Sequence, residues 1–165
     1  MNRAAAIKKT KELLKTFKYI YKEEQTRINE LHLTYKMDSH VFELQSSLLF
    51  EEDWVDILTF ISPRIESLCH DERQYIEMLK TINYINWTSK SPCGRMYIDD
   101  DFGDIAISLR FTYVWLEKYP EIVIGEYESV IEYYEDLFTL VIEVASGKRD
   151  YCEAKAFINE MWDFE

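Results

Sequence analysis

Five segments of the chain have residue patterns typical of β-strands. Hydrophobic and polar residues alternate along three of them, residues 95–98 are a short run of strand-forming residues, and residues 54–61 are nearly continuously apolar. The predicted strands span residues 31–37, 41–50, 54–61, 95–98 and 105–113. Short turns at Asp38-Ser39 and residues 51–53 separate the first three, so we expect an antiparallel meander. The last two flank residues 99–104, where Gly103 can adopt a positive φ, so we expect them to form a hairpin.

Four other segments repeat their hydrophobic residues at helical spacing. The first covers residues 4–24, the second begins at Asp71, the third follows Pro120, and the last begins at Asp150. Asp71 and Asp150 suit helix N-termini, and Gly147 suits the end of the third helix. The predicted stripes are formed by Ile7, Leu13, Leu14, Phe17, Ile20 and Tyr21; by Tyr75, Ile76, Leu79, Ile82 and Asn86; by Tyr127, Val130, Ile131, Tyr134, Leu137, Phe138, Val141, Ile142 and Ala145; and by Ala154, Phe157, Ile158, Met161 and Trp162.

The predicted element order is therefore α-β-β-β-α-β-β-α-α. It indicates an α+β fold in which helices cover chiefly one face of a five-stranded, mostly antiparallel sheet. The length of 165 residues fits a single domain spanning residues 1–165. Such a chain can bury a core without a disulfide or a structural metal.

The charge is strongly acidic and unevenly distributed. The formal net charge is -12, which argues against nucleic acids and anionic membranes as partners. Residues 1–36 hold nine Lys or Arg and four Asp or Glu, whereas residues 37–165 hold 10 and 27. The first segment is either a solvated basic helix or a basic arm that docks on an acidic face of the same or a sister subunit.

No sequence feature indicates secretion or membrane insertion. The N-terminus lacks the apolar region of a signal peptide, and no window approaches 18 apolar residues. Cys69, Cys93 and Cys152 form no C-x-x-C pair, so we expect no zinc or redox motif. These observations predict a cytoplasmic protein.

Candidate chemistry is sparse. The densest group of carboxylates consists of Asp99, Asp100, Asp101 and Asp104. We interpret it as a solvated turn, because the bidentate Glu of a calcium-binding loop is missing. The alternative is a weak Mg²⁺ or Ca²⁺ site. His32, His40 and His70 show no metal-ligand spacing, and no nucleophile motif or phosphate loop occurs. We therefore predict no enzymatic activity, no catalytic or metal-binding residues and no cofactor.

The segment INYIN at residues 82–86, followed by GRMYID at 94–99 and GDI at 103–105, resembles the YbjN-like family. Members end a helix in such an Asn-bearing segment and continue into a Gly-led hairpin. The resemblance implies the fold of type III secretion chaperones and a non-enzymatic, chaperone-like or regulatory role in a small acidic bacterial protein. Chaperones of this fold bind partner chains, commonly as homodimers, so a protein partner and a homodimer are expected. Asn83 and Asn86 are expected to satisfy backbone groups where the helix meets the hairpin.

Tyr and Trp side chains, the usual anchors of protein interfaces, crowd the hairpin and the helix after it. Tyr97, Ala106, Ser108, Arg110 and Thr112 are expected on the uncovered face of the sheet, and the glutamates of the long helix would suit a basic partner. The candidate partner-binding residues are Tyr97, Arg110, Thr112, Trp115, Tyr119, Glu128, Glu132 and Glu135. The alternative function is an acidic inhibitor or immunity protein that neutralises a basic toxin.

Overall fold

The computed structural model describes residues 1–23, 29–36, 43–61, 64, 67–88, 94–99 and 103–162. Its helices are α1 (Arg3–Thr16), α2 (Glu72–Thr88), α3 (Tyr113–Lys118), α4 (Pro120–Ala145) and α5 (Tyr151–Met161). Its strands are β1 (Tyr21–Glu23), β2 (Glu30–Lys36), β3 (Glu43–Phe50), β4 (Trp54–Ile61), β5 (Arg95–Asp99) and β6 (Asp104–Thr112). The predicted α+β class is confirmed. The predicted strand number and element order are wrong, because the sheet has six antiparallel strands in the order β1-β2-β3-β4-β6-β5.

The extra strand, β1, lies inside the segment predicted as helix 4–24. Helix α1 ends at Thr16, and Lys18 adopts a positive φ of 63° that stops the helical path. The chain then turns, and Tyr21 pairs with Leu33 of β2. Phe17 and Ile20, which the helical spacing places in the buried stripe, are exposed. The helical spacing of hydrophobic residues continues past Thr16, but the chain there forms a strand, because the long-range pairing of β1 with β2 overrides local helix propensity.

The extra helix, α3, follows β6 without a break. Thr112 pairs with Trp54, the first residue of β4, so the sheet offers no partner strand beyond that point. The Tyr113 backbone N–H instead donates a hydrogen bond to the Asp53 carbonyl at 2.9 Å, and the chain turns into α3. The predicted strand therefore ends at Thr112 rather than at Tyr113.

The other predicted strands are confirmed. Strands β2, β3 and β4 form the expected antiparallel meander. Strands β5 and β6 form the expected hairpin, in which Gly103 has a φ of 63° and its N–H donates to the Asp99 carbonyl at 2.6 Å. The predicted turn at Asp38-Ser39 and residues 100–102 of the hairpin turn lie outside the described residues.

Helices α1, α2 and α4 form a layer on one face of the sheet, α5 packs against α2 and α4, and the core lies between the helix layer and the sheet. Every residue of the predicted α4 stripe is buried. A buried hydroxyl cluster joins the layers: the Tyr127 hydroxyl of α4 lies 2.8 Å from Ser46 Oγ of β3, which lies 2.8 Å from Thr59 Oγ1 of β4. Because each hydroxyl has a partner, this polar cluster can be buried at little cost.

The ends of the helices follow their sequence patterns. Pro120 is the first residue of α4, and Gly147 follows its C-terminus with a φ of 71°. Asp150 forms a capping box with Glu153 at the start of α5. The Asp71 side chain accepts a hydrogen bond from the Gln74 N–H at 2.8 Å at the start of α2. No helix within the described residues is long and apolar enough to cross a membrane.

Helix α2 buries a different side from the one predicted. Met78, Ile82 and Ile85 are buried, whereas Tyr75, Ile76 and Leu79 of the predicted stripe are exposed. The helix carries apolar residues on more than half of its circumference, and its packing against α4 and α5 selects the buried side. At its C-terminal end the Asn86 amide bonds the Met96 backbone, donating to the carbonyl at 2.7 Å and accepting from the N–H at 3.1 Å.

Candidate partner-binding surface

The face of the sheet opposite the helix layer, here called the open face, carries side chains that are mostly half-buried or exposed. Strand β4 shows the contrast most clearly, because its residues alternate between half-buried and buried along their whole length. The described residues of the open face include Thr34, Gln45, Ser47, Leu49, Trp54, Asp56, Leu58, Phe60, Arg95, Tyr97, Ser108, Arg110 and Thr112. Ala106, which we expected to be exposed there, is fully buried, since it is small and paired between Phe60 and Tyr97.

The centre of the open face is concave. The depression has a volume of about 720 Å³ and is lined by Leu49, Asp56, Leu58, Gly94, Arg95, Tyr97, Ser108, Leu109 and Arg110. Leu49 and Leu58 come from neighbouring strands and supply an apolar floor. The strand register produces this arrangement, because Leu49 pairs with Asp56, which pairs with Arg110, in one row across three strands.

Three side chains at one edge of the depression hold each other in place. The Arg110 guanidinium donates two hydrogen bonds to the Asp56 carboxylate, at 2.6 and 3.1 Å. The Trp54 indole N–H donates to the same carboxylate at 3.0 Å, and the Arg110 guanidinium carbon lies 4.9 Å from the centre of the Trp54 ring. The hydrogen bonds from Arg110 to Asp56, and then the charge of Asp56, raise the pKa of the already basic Arg110. A planar cation is thus fixed over an indole at the surface.

Tyr97 lies at the opposite side of the depression on β5. It is half-buried, and this burial raises the pKa of its hydroxyl, with the nearby charges of Asp99 and Asp56 adding to the effect. The phenol therefore stays protonated and able to donate a hydrogen bond at neutral pH. Its partly exposed ring is the kind of amphipathic contact that protein interfaces use.

Glu30, His32 and Ser47 form a line on the outer strands of the open face. Ser47 Oγ lies 3.0 Å from His32 Nδ1, and His32 Nε2 lies 3.4 Å from the Glu30 carboxylate. The residue types are those of a hydrolytic triad, and this proximity was not predicted. Acyl transfer also needs N–H donors aimed at the developing oxyanion. Here the backbones of β2 and β3 pair with each other along this stretch, so we interpret the line as a cross-strand contact.

The predicted partner-binding residues fall on three parts of the molecule. Tyr97, Arg110 and Thr112 share the open face, where Thr112 pairs with Trp54. Trp115 and Tyr119 lie at α3, with ring centres 6.1 Å apart. Glu128, Glu132 and Glu135 lie on α4, where Glu128 accepts a hydrogen bond from the Tyr19 hydroxyl at 2.6 Å, Glu132 is exposed and Glu135 is half-buried.

Sequence reasoning missed Trp54, Asp56, Leu49 and Leu58 as members of the surface. One feature could have identified it: Asp56 is the single charged residue in the otherwise apolar or uncharged strand 54–61. A lone carboxylate in such a strand indicates a basic partner on a neighbouring strand. The partner itself, Arg110, depends on the register of β4 against β6, which lies 54 residues away in sequence.

The aspartate turn shows no sign of a metal site within the described residues. Asp99 and Asp104 pair across the hairpin, and Asp104 lies 3.4 Å from the Arg64 side chain. Asp100, Asp101 and His40 lie outside the described residues. Across the part of the chain that is described, no three His, Cys, Asp or Glu side chains are grouped so that they could hold a metal ion.

No family model matches this chain, and no curated protein matches it either.

Proposed function

We propose that this chain is a non-enzymatic protein that binds another protein through the open face of its sheet, in a chaperone-like or regulatory role. The observation that carries the proposal is the depression on that face, with its apolar floor and a fixed Trp54–Asp56–Arg110 cluster at the edge. The opposite face is already buried against helices, so the open face is the side of the sheet left for a partner.

The composition of the open face supports this role. Interface hot spots are enriched in Trp, Tyr and Arg, and the open face presents one of each at its depression, in Trp54, Tyr97 and Arg110. The bidentate ion pair holds Arg110 in one orientation before binding, which reduces the entropy that association must offset. The mixture of Leu49 and Leu58 with charged neighbours is typical of interfaces whose partners also exist separately.

The proposal includes membership of the YbjN-like family, a cytoplasmic location and the capacity to form a homodimer. The meander, the Asn-bearing helix and the following hairpin support the family assignment, and β1 and α3 are additions to the expected pattern. The net charge of -12 supports a protein rather than a nucleic acid or an anionic membrane as partner.

Affinity capture with cross-linking, followed by binding measurements on the purified partner, tests the proposal. Leu58→Glu places a charge on the apolar floor, and Arg110→Glu replaces the fixed cation, so each should weaken binding at least tenfold. Asn83→Ala changes an exposed residue of α2 and should leave the affinity unchanged. If only Glu132→Lys on α4 reduced binding, or if no partner bound the purified chain, the open-face proposal would be wrong.

The second candidate function is an acidic inhibitor or immunity protein for a basic toxin. The observation that favours it is the excess of carboxylates over basic residues after residue 36, 27 against 10, which would accelerate association with a basic protein. A neighbouring gene for a basic toxin, and inhibition of that toxin by the purified chain in a salt-sensitive manner, would support this function over the first.

A further inference from the structure

We propose that a second surface, at the junction of α3 and α4, binds a Lys- or Arg-rich amphipathic segment of a partner protein. This junction patch consists of Val114, Trp115, Tyr119 and Ile122, whose exposed fractions are 54%, 48%, 50% and 47%. Four large apolar side chains within nine residues are thus about half exposed. The proposal concerns a surface separate from the open face, so it does not depend on the proposed function.

The junction patch is held firmly from below. Tyr113, at the start of α3, is buried, and its hydroxyl donates to the Glu51 carbonyl at 2.5 Å. Leu116 and Pro120 are also buried beneath the patch. The Trp115 and Tyr119 rings meet edge to face. Because the backbone and rings are already ordered, a partner would meet a preformed apolar surface, which lowers the entropic cost of binding.

Carboxylates are in excess over cations beside the junction patch and indicate the chemistry of its partner. The turn at residues 51–53 is adjacent, since the Tyr113 N–H bonds the Asp53 carbonyl. Together, residues 51–53 and 113–122 contain five carboxylates and one basic residue, Lys118. The Arg3 side chain, which donates to the Glu51 carbonyl at 2.9 Å, adds a second basic side chain there, so carboxylates remain in excess. Glu51, Glu52, Asp53 and Glu121 are exposed, and the Glu117 side chain remains 57% exposed although it lies 3.5 Å from the Met1 amino group.

An apolar patch edged with carboxylates fits a partner segment that has apolar residues on one side and Lys or Arg beside them. The apolar residues would cover Trp115 and Tyr119, and the cations would meet the carboxylates and the faces of the aromatic rings. An acidic segment would be repelled by those carboxylates, and an uncharged segment would remove water from them without supplying a cation. Charge complementarity therefore selects a basic amphipathic segment.

The test uses the full chain and a fluorescent synthetic helix of Leu and Lys in an amphipathic pattern, with a Leu and Glu version as the charge control. Fluorescence anisotropy at low and physiological salt reports the affinity. The Lys peptide should bind and the Glu peptide should not. The Trp115→Ala/Tyr119→Ala and Glu117→Lys/Glu121→Lys double variants should each weaken binding at least tenfold, with circular dichroism confirming that they fold.

Two matched controls make the test specific to the junction patch. Trp87→Ala removes another exposed tryptophan, from α2 (77% exposed), and Glu132→Lys/Asp136→Lys makes the same charge change on an exposed part of α4. Both should change the affinity less than twofold. Equal weakening by Glu132→Lys/Asp136→Lys would reveal non-specific attraction and overturn the proposal, as would the absence of peptide binding. Self-association of the wild-type chain that Trp115→Ala abolishes would also overturn it, because a second copy would then occupy the patch.

Discussion

The Thr10 hydroxyl lies on the buried side of α1 and has no hydrogen-bond partner within the described part of the chain. Thr10 is one of the residues that line a cavity of about 20 Å³, together with Leu13, Leu48, Ile57 and Tyr127. Thr81 of α2 is equally buried, and its hydroxyl donates to the Glu77 carbonyl at 2.9 Å. The two threonines therefore differ in hydrogen bonding and not in burial.

Thr10→Val should stabilise the protein, because it replaces an unsatisfied hydroxyl with a methyl group of similar volume. We expect the free energy of unfolding to rise by about 1 kcal/mol, measured by urea denaturation. Thr81→Val is the control: it removes a hydroxyl that has a partner and should leave the free energy unchanged or lower it by up to about 1 kcal/mol. A lower stability of Thr10→Val would show that the hydroxyl has a partner in solution.

Tyr113 should make the stability depend on alkaline pH. Its burial raises the pKa of the hydroxyl above the ordinary value of 10.0. Since the unfolded chain releases this proton more easily, the stabilisation is fully present below that value and is lost as the pH rises through the folded-state pKa. Tyr113→Phe lacks the titration and the hydrogen bond to Glu51, so it should be less stable by about 1 kcal/mol at neutral pH.

The difference in the free energy of unfolding between wild type and Tyr113→Phe should then narrow as the pH rises above about 9 and through the raised folded-state pKa of Tyr113. Denaturation at a series of pH values measures it. The difference in the free energy of unfolding between wild type and Tyr97→Phe should also narrow at alkaline pH, because burial raises the pKa of Tyr97 as well. A difference that stays constant over this range would mean that Tyr113 ionises equally easily in the folded and unfolded chains.

At the scale of elements, most strands and helices could be predicted because their patterns are local. Alternation predicted β2, β3 and β6, and runs of apolar or strand-forming residues predicted β4 and β5. Asp71, Pro120 and Asp150 located the starts of α2, α4 and α5. The prediction failed for the two elements whose structure is determined by contacts with residues distant in sequence. Strand β1 exists because it pairs with β2, and α3 begins where β4 no longer offers a partner to β6. Neither pairing can be derived from the residues of the element itself.

Asn86 of α2 forms hydrogen bonds with the exposed edge of strand β5. Strand β5 is an edge strand, and the Asn86 amide bonds both outward-facing backbone groups of Met96. Asn86→Ala would leave that N–H and C=O unpaired, so we expect a loss of about 1 to 3 kcal/mol. It would also open part of the edge to pairing between molecules, which should raise light scattering with concentration.

Asn83→Ala is the matched control, because Asn83 lies on the same helix and is exposed. It should change neither the free energy of unfolding beyond about 0.5 kcal/mol nor the light scattering. If the two alanine variants behaved alike, the contact between Asn86 and Met96 would have no role in stability.

At the scale of the whole molecule, sequence predicted that one face of the sheet would be covered and that Tyr97, Arg110 and Thr112 would lie on the other. Period-two alternation is sufficient for that assignment. Alternation could not predict the contact of Arg110 with Asp56 and Trp54, because the register between β4 and β6 is set by the packing of the whole sheet. Nor could a local pattern predict that Glu128 accepts a hydrogen bond from Tyr19, because the two residues are 109 positions apart in sequence.

The same layer packing yields a prediction about how the helices attach to the sheet. Tyr127 reaches from α4 to Ser46, and Ser46 in turn contacts Thr59. Tyr127→Phe leaves the ring in place and removes one buried hydrogen bond, so the free energy of unfolding should fall by about 1 kcal/mol. Ser46→Ala should cost about 1 to 2 kcal/mol, because it also leaves the Tyr127 and Thr59 hydroxyls without this partner.

A double-mutant cycle separates this contact from simple loss of burial. Once Ser46 is alanine, Tyr127→Phe removes a hydroxyl that no longer has Ser46 as a partner. The double variant should therefore be more stable than additivity predicts, by about 1 kcal/mol. Tyr127→Phe combined with Thr81→Val should be additive, because the Thr81 hydroxyl donates to the Glu77 carbonyl of its own helix. Additivity in the Tyr127 and Ser46 cycle would contradict the hydroxyl bridge and would leave apolar packing as the attachment of α4 to the sheet.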